Sequence, residues 1–321
     1  MAAVRQAVRE SLHDVAPSQL ILAACSGGAD SLALAAALAF TAPRVGLRAG
    51  AVVVDHGLQQ GSDAVAQQVA ERLRALALSP VEVAVAEVSQ TGRGPEAAAR
   101  TARYAAMTAI ASRLDAAAVL LGHTRDDQAE TVLLGLARGS GARSLAGMRA
   151  TSGLWRRPLL GLARQLTVAA CAAQGLSVWE DPHNTDAAFT RARVRHQVLP
   201  VLERELGPGV GAALARTAEL LTSDADALDS WASTAAQECA GETGLLVPAL
   251  QRLPAAVRTR VLRQAALAAG CPASDLAAGH IDGIDALVMR WHGQLGVDLP
   301  GSVRAVRRRG EVRFEAGAVG G

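Results

Sequence analysis

The chain has 321 residues, half of them hydrophobic and 19% charged, which predicts a packed core and excludes wholesale disorder. Its 32 basic residues stand against 30 acidic ones, and a net charge of +2 is too small for a protein that coats nucleic acid, so any RNA contact must come from local clusters. All 32 basic residues are arginine, which excludes a Schiff base, adenylation of a protein lysine and a P-loop lysine.

The first 20 residues carry Glu10 and Asp14 and no apolar stretch of signal-peptide type, and the longest apolar run, Leu32 to Phe40, is too short to span a bilayer. A soluble, cytoplasmic protein is expected. In chain order, short β-type runs are predicted at Gln19–Ala24, Ala49–Val54, Val81–Val85 and Ala118–Leu121. Helix-type segments lie between and after them, at Ser31–Phe40, Ser62–Ala77, Pro95–Arg113 and Asp126–Arg138. Apolar strands alternating with amphipathic helices predict an α/β fold, a doubly wound parallel sheet whose ligands sit beyond the carboxyl ends of the strands.

After about residue 150 the rhythm changes. An Arg-, Pro- and Trp-rich stretch, Trp155–Gly161, leads to a helix near Leu162–Gln174, a loop at Trp179–Thr185 and a basic helix near Ala187–Leu202. The Gly207-Pro208-Gly209 cluster reads as a domain boundary, giving domains 1–206 and 207–321, the second smaller and mostly helical. Within it, long helices are predicted at Val210–Cys239 and Ala255–Ala269, then a strand-like basic end at Val303–Phe314. The four cysteines, Cys25, Cys171, Cys239 and Cys271, form no CxxC pair, which suits reduced thiols and suggests neither a zinc site nor a disulfide framework. Eight aromatic residues (four Trp, one Tyr, three Phe) are too few for a single-strand-binding face of stacking rings.

The first chemical motif, Ser26-Gly27-Gly28-Ala29-Asp30-Ser31, follows the first strand and opens a helix. Two glycines allow close approach of an anion, the serines offer hydroxyls, and the helix terminus offers free N–H groups. An acidic residue in such a loop repels an anion unless it also holds a divalent cation, so Asp30 reads as a Mg²⁺ ligand beside a polyphosphate. The second motif, Gly122-His123-Thr124-Arg125-Asp126-Asp127-Gln128-Ala129-Glu130-Thr131, follows the fourth strand and so reaches the same sheet edge. On a helix His123, Asp127 and Thr131 share one face. Asp127 reads as a second carboxylate for Mg²⁺ and His123 as a phosphate contact. For Asp126 and Glu130 a ligand role and a solvated role are equally open.

The first motif resembles the pyrophosphate-binding loop of the PP-loop ATP pyrophosphatases, which split ATP into AMP and pyrophosphate while adenylating an oxygen. Within that group the second motif looks like the lysidine synthetase signature, as do Val54-Asp55-His56-Gly57-Leu58, the helix Glu96–Tyr104 with Arg100 and Arg103, and Trp179–Asp186 followed by Phe189–His196. The departures from the family pattern are His183 and Ala192, where Ser and Asn are usual. The likeness runs from about Ser26 to Leu202, and the remainder resembles only the family's first accessory domain, a short form without the last domain of longer members.

The resemblance implies ATP and Mg²⁺ on Ser26, Gly27, Gly28, Ala29, Asp30, Ser31 and Gly122, with Asp30 and Asp127 on the metal. His123 and Arg100 are then catalytic, and Arg191, Arg193 and Arg195 contact tRNA. The implied substrates are an isoleucine tRNA with a wobble cytidine and free L-lysine, whose amine would meet an acidic pocket drawn from Asp55, Asp126 and Glu130. A homodimer is compatible with this reading, and no membrane is involved. Arg304, Arg307, Arg308, Arg309 and Arg313 form a basic cluster read equally well as tRNA-contacting or as a solvated tail. A tRNA thiolase would share the ATP loop but usually needs paired cysteines. A small-molecule synthetase would lack the arginine-rich helix, and a non-catalytic tRNA-binding module would have no use for Asp30 beside the glycines.

Overall fold

In the computed structural model, which describes residues 1–55, 57, 61–86, 95–139, 141–179 and 186–316, the chain divides into two compact units, Met1–Leu221 and Thr222–Gly321. The first unit opens with α1 (Ala2–Ser11), whose Val4 and Val8 lie one turn apart and are both buried. There follow β1 (Leu20–Ala24), α2 (Ala29–Thr41), β2 (Arg48–Asp55), α3 (Ser62–Ala75), β3 (Val81–Val85), α4 (Pro95–Arg113), β4 (Ala116–Leu120) and α5 (Arg125–Ala137). Next come α6 (Ala142–Leu145), β5 (Thr151–Ser152), β6 (Trp155–Arg156) and α7 (Arg164–Ala172). The unit continues with α8 (Thr190–Arg193), a π-helical stretch Val194–Val198 and α9 (Leu199–Leu206).

The strands form one sheet in the order β3-β2-β1-β4-β6-β5, parallel except for the antiparallel pair β5–β6. Period-two alternation along β1 sends Ile21 and Ala23 to one face, where they pack with residues of α1, α2 and α7. Leu20 and Leu22 face the other way, onto Met107 and Ile110 of α4. With both faces covered, the sheet is doubly wound. The chain leaves β1 toward β2 and β3 on one side and returns to β4 on the other, so the crevice beyond the carboxyl ends of β1 and β4 is the topological switch point.

Two local expectations change. Helix α5 starts at Arg125 with Thr124 as its N-cap, so His123 lies in the preceding turn and does not share a helical face with Asp127 and Thr131. The basic helix starts at Thr190, not Ala187, because residues 187–189 turn back on Asp186, whose Oδ1 accepts from Ala188 N at 2.9 Å. Gly207 and Gly209, at φ +95° and +99°, flank the turn between α9 and the next helix, α10 (Val210–Glu238), and the two units divide further on, within α10.

The second unit continues from α10 through β7 (Leu245–Leu246), α11 (Val247–Arg252), α12 (Ala255–Ala268), α13 (Ala278–Met289), β8 (Val297–Leu299), β9 (Val303–Arg308) and β10 (Glu311–Ala316). Its helices pack with an antiparallel sheet, β7-β10-β9-β8, around Val257, Val261, Leu262 and Ile284. The basic carboxyl-terminal cluster lies on the β9–β10 hairpin: Arg304 pairs with Asp298, Arg308 with Glu315 and Arg313 with Glu311, while Arg307 stacks over Trp291 at 4.7 Å. Among the described residues no helix is long and apolar enough to cross a membrane.

Candidate active site

The turn from β1 into α2 is built around two glycines with different reasons to be there. Gly27 has φ +88°, and a β-carbon on it would lie 2.7 Å from Val69 Cγ2, so both backbone and packing require glycine. Gly28 is the N-cap of α2 with an ordinary φ of −70°, and its nearest neighbour would be Ser26 Oγ at 3.7 Å. Gly28 faces a cavity, so its missing side chain leaves room for a ligand to approach the backbone. The Ser31 hydroxyl donates to Gly28 O at 2.9 Å and accepts from Ser26 N at 3.2 Å, which holds the turn in shape. The first N–H groups of α2 are left without intrahelical acceptors and point into a positive dipole end.

The turn after β4 meets this loop directly. A β-carbon on Gly122 would stand 3.0 Å from Ser31 N and 3.1 Å from Asp30 C, so only glycine lets the two strand ends approach this closely. Thr124 and Asp127 form a capping box, with Thr124 N donating to Asp127 Oδ2 at 2.7 Å. Burial opposes charge on Asp127, but the Thr124 N–H and the Arg195 charge outweigh it and hold its pKa below the usual carboxylate range. His123 Nδ1 is buried without a hydrogen-bond partner among the described residues. Burial, reinforced by nearby guanidiniums, pushes the His123 imidazole down to about 3, so it is neutral at physiological pH.

Both turns line one cavity of about 710 Å³, together with Arg100, Arg103, Tyr104 and Met107 of α4, Arg164 of α7, and Arg191 and Arg195 from the basic helix. The polar side of this cavity is cationic. Arg103 has no carboxylate partner among the described residues, and burial together with Arg100 and Arg191 lowers its pKa. Sequence reasoning singled out Arg100, which is exposed and donates to Tyr104 Oη at 3.4 Å, and passed over the half-buried Arg103 as a catalytic candidate. Both line the cavity three residues apart on α4, and the sequence gave no sign that Arg103 is the more covered of the two.

Arg191 and Arg195 are directed inward onto carboxylates. Arg195 Nε donates to Glu130 Oε1 at 2.6 Å and its Nη2 to Asp127 Oδ1 at 2.8 Å, while Arg191 Nε donates to Glu130 Oε2 at 3.1 Å. Glu130 is 0% exposed; burial pushes its carboxyl up, against the pull of Arg195 and Arg191. Arg193 points elsewhere, donating to Ala187 O and Ala188 O at 2.6 and 2.9 Å.

Of the other acids, Asp126 Oδ2 accepts from Arg164 N at 2.8 Å, and the buried Asp55 accepts from Gly57 N at 3.0 Å. Trp179 N donates to Gly27 O at 3.0 Å, which brings the start of the Trp179–Asp186 stretch to the first loop. His56, Leu58 and residues 180–185, including His183, lie outside the described residues.

Asp30 and Asp127 face the same cavity, and each charge makes the other less favourable. Burial pushes the Asp30 carboxyl up, countered by the Thr167 hydroxyl and Arg164. Among the described residues no third acid, histidine or cysteine joins them in a metal-binding group. Two carboxylates facing open space suit Mg²⁺, which keeps substrate phosphates in its shell, better than a metal that needs an all-protein cage.

Comparison with known proteins agrees with this geometry. A family model described as a PP-loop domain matches residues 2–202, and one described as a TilS substrate binding domain matches residues 245–313. A tRNA(Ile)-lysidine synthase of Thermobifida fusca is 58% identical over 317 residues, covering 98% of each chain. Its counterpart from Streptomyces coelicolor is 54% identical over 347 residues, covering 99% of this chain and 98% of that one. Among solved structures, the U34-tRNA thiolase NcsA of Methanococcus maripaludis superposes with a TM-score of 0.58 at 16% identity, over 69% of this chain and 79% of that one, a likeness of fold alone. With its two strand-end turns joined at one cavity and near full-length relatives of more than half identity, the chain belongs to the tRNA(Ile)-lysidine synthase family of PP-loop proteins.

Proposed function

We propose that this cavity uses ATP to adenylate the wobble cytidine of an isoleucine tRNA and then joins free lysine to it, forming lysidine with release of AMP and pyrophosphate. The observation that carries the reading is the meeting of the Ser26–Ser31 turn and the Gly122–Asp127 turn at one cavity lined by five arginines, Arg100, Arg103, Arg164, Arg191 and Arg195.

In the first step the triphosphate lies against the amino terminus of α2, with Ser26, Gly27, Gly28, Ala29 and Ser31 forming its cradle and Gly122 keeping the second turn close. Asp30 and Asp127 would hold Mg²⁺, which when bound neutralises phosphate charge. The 2-carbonyl oxygen of cytosine attacks the α-phosphorus and pyrophosphate leaves. Neutral His123 offers its unpaired nitrogen to a phosphate, and Arg100 and Arg103 offset the charge that develops on the leaving group. In the second step the ε-amine of lysine attacks C2 of the activated base, loses a proton and displaces AMP. Of the acids considered for that amine, Asp55 and Asp126 accept from backbone N–H groups, and Glu130 is fully buried with both oxygens held by Arg191 and Arg195, so none of the three is free to receive it. Arg191, Arg193 and Arg195 are assigned to the tRNA, whose wobble base leaves its stack to enter the site.

A thiolase reading is disfavoured by the thiols beside the loop. Cys25 and Cys171 are both buried, and burial pushes Cys171 up to about 11, so neither is a ready sulfur nucleophile.

The test is pyrophosphate release from ATP with cytidine-bearing isoleucine tRNA, with and without lysine. Release that depends on this tRNA, with AMP appearing only when lysine is added, supports the reading. Release that requires ammonia or a sulfur donor overturns it. Asp30→Ala should abolish adenylation while leaving tRNA binding largely intact.

A further inference from the structure

The carboxylate assigned to the cation is held from outside its own loop. The Thr167 hydroxyl of α7 donates to Asp30 Oδ1, and the Arg164 guanidinium lies 3.5 Å from Oδ2. The two contacts differ in kind. Thr167 is 0% exposed, so water cannot replace its hydroxyl. Arg164 is 33% exposed, and its contact is longer than a hydrogen bond of ordinary strength.

A threonine inside a helix commonly donates to a carbonyl one turn back, and Thr167 has that acceptor, Arg164 O, at 2.6 Å. Its single proton is shared between that carbonyl and Asp30. Were packing the only demand, valine would fill the same space without placing a hydroxyl beside a buried carboxylate.

The position of α7 is itself fixed by the second turn. Its N-cap residue, Ala163, has no side-chain oxygen, and Asp126 Oδ2 takes the Arg164 N–H instead. Asp126 thus ties α7 to the start of α5, and Thr167 ties α7 to Asp30. This relay sets the two carboxylates Asp30 and Asp127 relative to each other.

We propose that Thr167 is a positioning residue for the cation-dependent part of nucleotide binding. Its hydroxyl fixes Oδ1 of Asp30 and leaves Oδ2 for the cation, with Arg164 as the exchangeable counter-ion. The assignment rests on the reading of this cavity as an ATP- and Mg²⁺-using site.

The test titrates ATP into the full chain by calorimetry, once with Mg²⁺ and once in EDTA, alongside melting of the ligand-free protein. Wild type is compared with Thr167→Val, Thr167→Ala and Thr167→Ser. The expected result is that Mg²⁺ tightens ATP binding in wild type, and that Val and Ala lose about tenfold of that tightening, the value of one hydrogen bond to a charged group. Their affinity in EDTA should stay unchanged, and Ser should restore the wild-type response. Full Mg²⁺ tightening in the Val and Ala variants overturns the assignment. So does an equal loss with Mg²⁺ and in EDTA, which marks Thr167 as packing alone, or a Ser variant that behaves like Val. A wild-type chain whose ATP binding ignores Mg²⁺ overturns the reading of the site, and the assignment with it.

Discussion

Gly122 and Ser31 belong to different strand-end turns, yet a β-carbon on Gly122 would come within 3.0 Å of the Ser31 backbone nitrogen. The neighbour is backbone at the start of a helix and cannot swing away as a side chain would. Gly122→Ala should therefore push the two turns apart, costing about 1–3 kcal/mol of stability in chemical denaturation. ATP affinity should fall with it. An alanine variant of unchanged stability and affinity would show that the turns tolerate separation.

His123 gives a stability signature in mild acid. Its pKa is about 3 in the folded chain against an ordinary 6.5, so below pH 6.5 the unfolded chain takes up a proton that the folded one refuses. Stability contributed by the neutral imidazole is complete above pH 6.5 and is lost as pH falls, at about 1.4 kcal/mol per pH unit and about 3 kcal/mol in all by pH 4. Asp127, whose pKa is lowered, acts only at more acid pH. Denaturation of wild type and His123→Gln across pH 7 to 4 should give a shallower slope for the variant. Parallel slopes would contradict the burial assigned to His123.

Arg103 should trade stability against function. A half-buried guanidinium facing other cations is costly to the folded state. Arg103→Met keeps the length of the side chain and removes the charge, and should raise stability by about 1 kcal/mol or more while lowering the rate of pyrophosphate release. Loss of stability in that variant would mean the charge is satisfied within the fold.

Glu130 holds two guanidiniums from a site with no solvent access. Glu130→Ala leaves Arg191 without a carboxylate and Arg195 with Asp127 alone, and should destabilise the protein by about 3 kcal/mol, read from the denaturation midpoint. Glu130→Gln retains an acceptor and should cost less. Equal losses in the two variants would argue that volume, not charge, matters at this position.

The strands and their parallel arrangement were legible because alternating β and helical segments leave few alternatives, and β1 to β4 lie within two residues of their expected places. The glycines and Asp30 were legible as a motif, since their chemistry depends on neighbours in sequence. The pairings that shape the site were not: Arg195 to Glu130, Thr167 to Asp30 and Asp126 to Arg164 N each join elements far apart in the chain. Nor could periodicity place His123, because helix register begins only after the Thr124 cap is known. The hairpin β5–β6 and strand β8 escaped notice because two- and three-residue strands carry no period to read.

The borrowed cap of α7 has a consequence for how the protein is made. Because Ala163 cannot start that helix and Asp126 does so from afar, the first turn of α7 is secured only once α5 is in position. Asp30, synthesised early, stays without Thr167 until that late segment emerges from the ribosome. The nascent chain thus carries the Ser26–Ser31 turn before the contact that fixes Asp30 can form, and the two turns gain their shared support from α7 only in the later part of the first unit.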